Sequence, residues 1–180
     1  MDQQSAKAVV VMGVSGAGKT SIAERVAGGL KWLFIEGDRL HPQSNIDKMA
    51  HGIPLTDDDR WPWLDLIGAE LFASTSRGQS VVATCSSLKR SYRQRLRTAS
   101  RGSLYFVFLK GSEELLSVRM GERKGHFMPP SLLKSQLATL ESPEGEDGVV
   151  TVDIDATIEV IVGRAVAALE ALWHQESKRD

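Results

Sequence analysis

Gly13, Gly18, Lys19 and Thr20 stand at the spacing Gly-x-x-x-x-Gly-Lys-Thr. Glycines there let successive backbone N–H groups turn inward and form a nest for phosphate oxygens. A lysine at the head of the following helix reaches the β- and γ-phosphates, and the next hydroxyl is placed for Mg²⁺. The helix N-terminus adds its own positive end. This chemistry needs a strand before the loop and a helix after it. Residues 8–12 are a short apolar run, and Ile22, Val26 and Leu30 recur at helical spacing after Lys19. A chance match in a Gly-rich loop is on the order of 1% for a chain of this length. The pattern therefore predicts a cradle for the phosphates of a Mg-nucleotide.

Such a cradle names the phosphate donor and leaves the acceptor open. Ligands of parallel sheets collect at the carboxyl ends of the strands. Asp38 follows the second predicted strand, 33–35, and Ser86 and Ser87 follow the third, 80–85. Asp57, Asp58, Asp59 and Arg60 lie in a segment inserted between them. Arg119, Arg123, Lys124 and His126 lie in and before the loop after the fourth strand, 104–109. Phosphoryl transfer needs a positioned hydroxyl and positive charge near the migrating group. Asp38 could orient and deprotonate the hydroxyl; Lys19, with Arg123 or Arg119, could neutralise developing charge. No Asn-Lys-x-Asp is present, and no Asp-x-x-Gly follows the third strand, so a GTP-driven switch is not expected.

Strands and helices alternate along the chain, which predicts an α/β fold: a five-stranded parallel sheet flanked by helices, with right-handed crossovers. The first helix is expected over 19–27, closed by Gly28 and Gly29. A loop or helix follows at 42–49. A helix over 64–74 is capped by Thr56 or one of the aspartates. A basic helical segment covers 89–97 and is expected to be mostly a solvated face. Further helices are expected from 112, over 131–140 and over 157–173, with a last strand at 149–154. One domain spans 1–180, with an acceptor-side helical insertion at about 42–78 and a mobile lid at about 119–140. Trp61 and Trp63 are expected to pack that insertion against the core.

Hydrophobic residues make up 42% and charged residues 25%, and the net charge is −1. That balance supplies no global field for nucleic acid or an anionic membrane, so neither is an expected partner. Cys85 is the one cysteine, so no internal disulfide can form; it is expected to be a buried thiol. The first residues do not read as a signal peptide, and no apolar run approaches the roughly 20 residues a membrane span needs. A cytoplasmic enzyme is the simplest class.

Several blocks are far more specific than the phosphate loop. They are Glu36-Gly37-Asp38-Arg39-Leu40-His41-Pro42, Asn45-Ile46-Asp47-Lys48-Met49, Asp57-Asp58-Asp59-Arg60-Trp61-Pro62-Trp63-Leu64, Cys85-Ser86, Tyr92-Arg93 and Arg123-Lys124-Gly125-His126-Phe127. Together they resemble the gluconate kinase family, from about Val9 to the final helix. The resemblance implies a P-loop NTPase core of the adenylate/shikimate-kinase kind and a homodimer. It also implies ATP-dependent phosphorylation of the 6-hydroxyl of D-gluconate, with Mg²⁺.

By the same resemblance, Gly13, Ser15, Gly16, Ala17, Gly18, Lys19, Thr20, Ser21 and Arg119 hold ATP, and Lys19, Asp38 and Arg123 serve catalysis. Arg60 and Arg93 are candidates for the substrate carboxylate, because guanidinium matches carboxylate with two parallel bonds. Asp38, His41, Asp58, Ser87, Lys89, His126 and Gln136 are candidates for the hydroxyls. Thr20 and Glu36 are the metal candidates. The resemblance leads one to expect aspartate at position 36; Glu36 departs from that, and its longer side chain reaches the metal through water or faces elsewhere. The third strand offers no Walker-B aspartate, so acidic help must come from Glu36 or Asp38. Two other readings stay open: a kinase of the same fold acting on shikimate or a nucleoside monophosphate, and a nucleotide-binding regulatory module without catalysis.

Overall fold

The computed structural model describes residues 5–122 and 131–179. Strand β1, Ala8–Met12, is buried on both faces, and Val9, Val10, Val11 and Met12 are 0% exposed. A strand with no polar face can lie only in the middle of a sheet covered on both sides. Each of its valines gains roughly 1.5–3 kcal/mol from that burial. Strands β2 (Leu33–Ile35), β3 (Val81–Thr84), β4 (Leu104–Lys110) and β5 (Val149–Asp153) complete the sheet. The order is β2-β3-β1-β4-β5 and every pairing is parallel.

The chain places β2 and β3 on one side of β1, and β4 and β5 on the other. Connections leaving the carboxyl end of β1 therefore diverge, and a crevice opens there. The phosphate loop lies at that point, because Gly13 follows β1 directly.

Helix α1, Lys19–Leu30, buries Ile22, Ala23, Val26 and Ala27. It does not end at Gly28 and Gly29 as the sequence suggested. Both glycines sit on the exposed side, where a helix tolerates them at modest cost. The left-handed turn is made by Lys31 instead (φ 58°), whose N–H bonds to Ala27 O and Gly28 O.

A 3-10 turn, Gly37–Leu40, and helix α2, Gln43–Ala50, follow β2. Helix α3, Asp57–Ser76, begins earlier than expected. Thr56 is its N-cap: its hydroxyl accepts from Asp59 N at 3.1 Å, and the Asp59 carboxylate accepts from Thr56 N at 2.8 Å. Pro62 is tolerated in the second turn, where the loss is one backbone donor.

Helix α4, Arg90–Ser100, packs along α3. Helices α5 (Glu113–Glu122), α6 (Ser131–Thr139) and α7 (Ile158–Glu176) complete the layers. Cys85 is 1% exposed, and burial pushes its thiol up to about 11. No helix among the described residues is long and apolar enough to cross a membrane.

Candidate active site

The loop from Gly13 to Gly18 reaches α1 through residues in the left-handed region; Gly16 has φ 85° and Gly18, the N-cap, 87°. Gly16 is required twice over. A Cβ there would also lie 2.8 Å from Leu116 O and from Met120 Cγ, so α5 seats against the loop only if position 16 has no side chain. Lys19 Nζ donates to Gly13 O at 3.0 Å and to Val14 O at 3.1 Å, which holds the ammonium over the loop. Ser15 N donates to Gln136 Oε1 of α6 at 2.8 Å. An inward-facing amide of the nest thus already engages a carbonyl oxygen. Ser15, Gly18, Lys19 and Thr20 line one end of a cleft that continues past Asp38, His41 and Arg60.

Asp38 is positioned by its neighbour Gly37. Gly37 N donates to Thr84 Oγ1 at 2.9 Å, and Gly37 O accepts from Trp63 Nε1 at 2.8 Å. A Cβ at Gly37 would fall 1.8 Å from Thr84 O, so no other residue fits the approach. With both backbone polar groups of the preceding residue pinned, Asp38 is held at the carboxyl end of the sheet and lines the cleft.

Glu36 turns toward the phosphate loop. Its Oε2 accepts from Thr20 Oγ1 at 2.5 Å and its Oε1 from Thr84 Oγ1 at 2.5 Å. Both metal candidates therefore meet, with Thr84 as a third member that the sequence did not reveal. Among the described residues no group of three or more His, Cys, Asp and Glu could hold a metal ion by itself. That donor set suits Mg²⁺, which is bound through one or two protein groups plus phosphates and retained waters.

Arg60 is 9% exposed and lines the cleft. Its Nη1 donates to the Tyr92 hydroxyl at 2.9 Å, and its guanidinium lies 5.2 Å from the Tyr92 ring centre. Tyr92 donates in turn to Asp57, which also accepts from Lys89 Nζ at 3.1 Å. Those bonds hold the Asp57 carboxyl below its ordinary range, the Tyr92 hydroxyl contributing most. No carboxylate of the described residues lies within ion-pair distance of Arg60. Arg60 helps to lower the Asp57 pKa from a distance, but among the described residues no carboxylate bonds its fork directly, so the guanidinium can receive an anion.

His41 is 8% exposed and stacks on Trp63, ring centres 3.9 Å apart at 16°. Burial, then the charge of Arg60, lowers its pKa to about 4, so the ring is neutral near pH 7. Met49, Leu55 and Leu132 form a small apolar cluster on the cleft wall, joining α2 to α6. Met49 falls in a block that carries the resemblance, but its apolar contact with Leu55 and Leu132, and the place of Ser135 beside Gln136, are tertiary and had no local pattern.

Several sequence candidates lie elsewhere. Arg93 is 0% exposed and outside the cleft. Its Nε and Nη2 bind the Glu146 carboxylate at 3.0 and 2.6 Å, and its remaining donors go to the carbonyls of Ser87, Leu88 and Glu141. All five guanidinium donors have protein acceptors, so the geometry does not offer Arg93 to a substrate carboxylate. Burial alone would raise the Glu146 pKa, but Arg93, with Arg97, holds it below the ordinary value.

Lys89 is engaged with Asp57, Asp58 is exposed at the start of α3, and neither lines the cleft. Ser87 is 0% exposed; its neighbour Ser86 lines the cleft instead. Arg119 donates to Ile154 O at 2.6 Å, beyond the end of β5. Arg123 and His126 lie outside the described residues.

The comparisons with known proteins agree with this geometry. The family described as "AAA domain" matches residues 9–143. A gluconokinase of Gluconobacter oxydans is 46% identical over 163 residues, covering 91% of this chain and 91% of that protein. The thermosensitive gluconokinase of Escherichia coli is 43% identical over 164 residues, covering 91% and 87%. The crystal structure of a gluconokinase from Sinorhizobium meliloti 1021 superposes with a TM-score of 0.88 at 50% identity, covering 98% of each chain. A phosphate loop at the switch point of a five-stranded parallel sheet, with likeness over nearly the full length, means that this chain belongs to the gluconokinase family of P-loop kinases.

Proposed function

We propose that this chain transfers the γ-phosphoryl group of ATP to the 6-hydroxyl of D-gluconate, giving 6-phospho-D-gluconate and ADP. The observation that carries this reading is Arg60: a nearly buried guanidinium with no carboxylate of the described residues within ion-pair distance, in the same cleft as the phosphate loop. An anionic acceptor can meet that guanidinium, whose fork suits a carboxylate. Asp38, also in that cleft, accepts the proton of the attacking hydroxyl as its oxygen bonds to the γ-phosphorus and the bond to the β-phosphate bridging oxygen breaks. Lys19 and the loop amides from Gly13 to Thr20, with Ser21 behind them, hold the phosphates. Gln136, which accepts from Ser15 N and lines the cleft, is proposed to meet a hydroxyl of the acceptor.

Thr20 would hold Mg²⁺ directly and Glu36 through water, and the ion when bound neutralises phosphate charge. Arg123, His126 and Arg119 are proposed for the lid, 119–140, with residues 42–78 forming the acceptor side. We further propose a homodimer, as the resemblance of the motifs implies, and a cytoplasmic location; light scattering and fractionation examine them.

The test is ADP release, coupled to a reporter, with Mg-ATP and a panel of gluconate, other sugar acids, shikimate and nucleoside monophosphates. Gluconate should give the highest kcat/KM. Absence of gluconate-dependent turnover would overturn the reading.

A further inference from the structure

Asn45 is 2% exposed, lies on α2, and its side chain reaches His41. Its Nδ2 is 3.2 Å from His41 Nδ1 and 2.9 Å from the Asp59 carbonyl. The carbonyl can only accept, so the atom that meets both must be the amide nitrogen. Its two hydrogens then go one to Asp59 O and one to His41 Nδ1. A donor on Nδ1 leaves that ring nitrogen without a proton, and the proton of the neutral ring resides on Nε2.

Nε2 faces Asp38 Oδ1 at 3.9 Å. That distance is too long for a hydrogen bond between them. It suits an alcohol oxygen placed between the two, accepting from Nε2–H and donating to the carboxylate. The Trp63 ring at 3.9 Å fixes the plane of the imidazole, so the direction of the N–H is set as well as its existence.

We infer that Asn45 is a positioning residue: it fixes His41 as the Nε2–H tautomer, so that the ring donates to a hydroxyl of the acceptor while Asp38 takes that hydroxyl's proton. This deepens the proposed gluconate phosphorylation and rests on it. The polarity is what matters. With Nε2 unprotonated, ring and carboxylate would both demand a proton from one hydroxyl, and the hydroxyl has only one to give.

The experiment uses the full-length chain. In ¹⁵N-labelled protein at pH 7.5, the His41 ring should show a protonated Nε2 and a bare Nδ1. Asn45→Asp is nearly isosteric but presents no donor, so Nδ1 must take the proton; the tautomer should invert or the ring become charged. We expect kcat/KM for gluconate to fall about 10²-fold with the KM for ATP within about twofold. His41→Gln carries its own amide donor, so adding Asn45→Asp to it should cost less than about fivefold more. A structural role alone would lower stability in both backgrounds equally.

If Asn45→Asp does not fold, Asn45→Ala, which adds no charge, should give mixed tautomers and an intermediate loss. An Nδ1–H ring in the unsubstituted protein, or an inverted ring in a folded variant with unchanged kcat/KM, would overturn the inference while leaving gluconate turnover intact. No gluconate turnover by the unsubstituted protein would overturn both.

Discussion

Arg60 of α3 and Tyr92 of α4 are joined by a 2.9 Å hydrogen bond, and the Tyr92 hydroxyl donates in turn to the Asp57 carboxylate. Two helices therefore aim one cation into the cleft. Arg60→Lys keeps the charge but loses the fork. The KM for gluconate should rise so that kcat/KM drops about 10²-fold, with the KM for ATP nearly unchanged. Tyr92→Phe removes about one net hydrogen bond, so about a fivefold rise in the same KM is expected. Steady-state kinetics with each substrate varied in turn provide the check.

Asp38 follows a residue whose backbone N–H and carbonyl are both pinned, so replacing its carboxylate should not move it. Asp38→Asn should lower kcat by about 10²- to 10⁴-fold with KM values changed only a few-fold. Near-normal kcat in this variant would remove Asp38 from the role of base.

Glu36 receives hydroxyl donors from both Thr20 and Thr84. Glu36→Gln sets an amide N–H₂ against one of those hydroxyls. The Mg²⁺ concentration for half-maximal rate should rise about tenfold, the usual order for a group orienting a metal ligand. A Mg²⁺ titration at saturating ATP and gluconate measures it.

Arg93 predicts a stability effect in place of a binding effect. Arg93→Met leaves Glu146 half-buried without its main partner, at a cost of about 3 kcal/mol and a melting temperature about 10 °C lower. Calorimetry should show the drop, while the folded protein keeps its KM for gluconate within about twofold.

His41 carries a pH signature. Its pKa is lowered from 6.5 to about 4 in the folded chain. Below about 6.5 the unfolded chain takes up a proton that the native ring refuses until about 4. Stability from this group is therefore full above 6.5, falls through that window and levels off below it, by at most about 3 kcal/mol. In urea unfolding at pH 7.5 and pH 4.5, His41→Gln should lose less between the two than the parent.

The sheet and the phosphate loop were legible in sequence because their signals are local. An apolar run of five residues and a glycine pattern need no distant partner to be read. The end of α1 was misread because Gly28 and Gly29 look like a stop, whereas their exposure makes them harmless within the helix.

The site separated along the same line. Lys19, Asp38, His41 and Arg60 come together as their motifs suggested. Arg60 and Arg93 carry the same side chain, but Arg93 on α4 turns to Glu146 in the interior while Arg60 on α3 meets the cleft. Asn45 stood four residues from His41, a visible spacing; the Asp59 carbonyl that fixes its amide comes from a different helix and no pattern announces it.

The lone thiol at the end of β3 has a practical consequence. Cys85 is sealed from solvent and stays protonated at neutral pH, so maleimides and iodoacetamides should leave the native fold unlabelled. A cysteine introduced at an exposed position such as Glu170 would then be the one reactive handle, and a fluorophore placed there reports on a chain otherwise chemically silent.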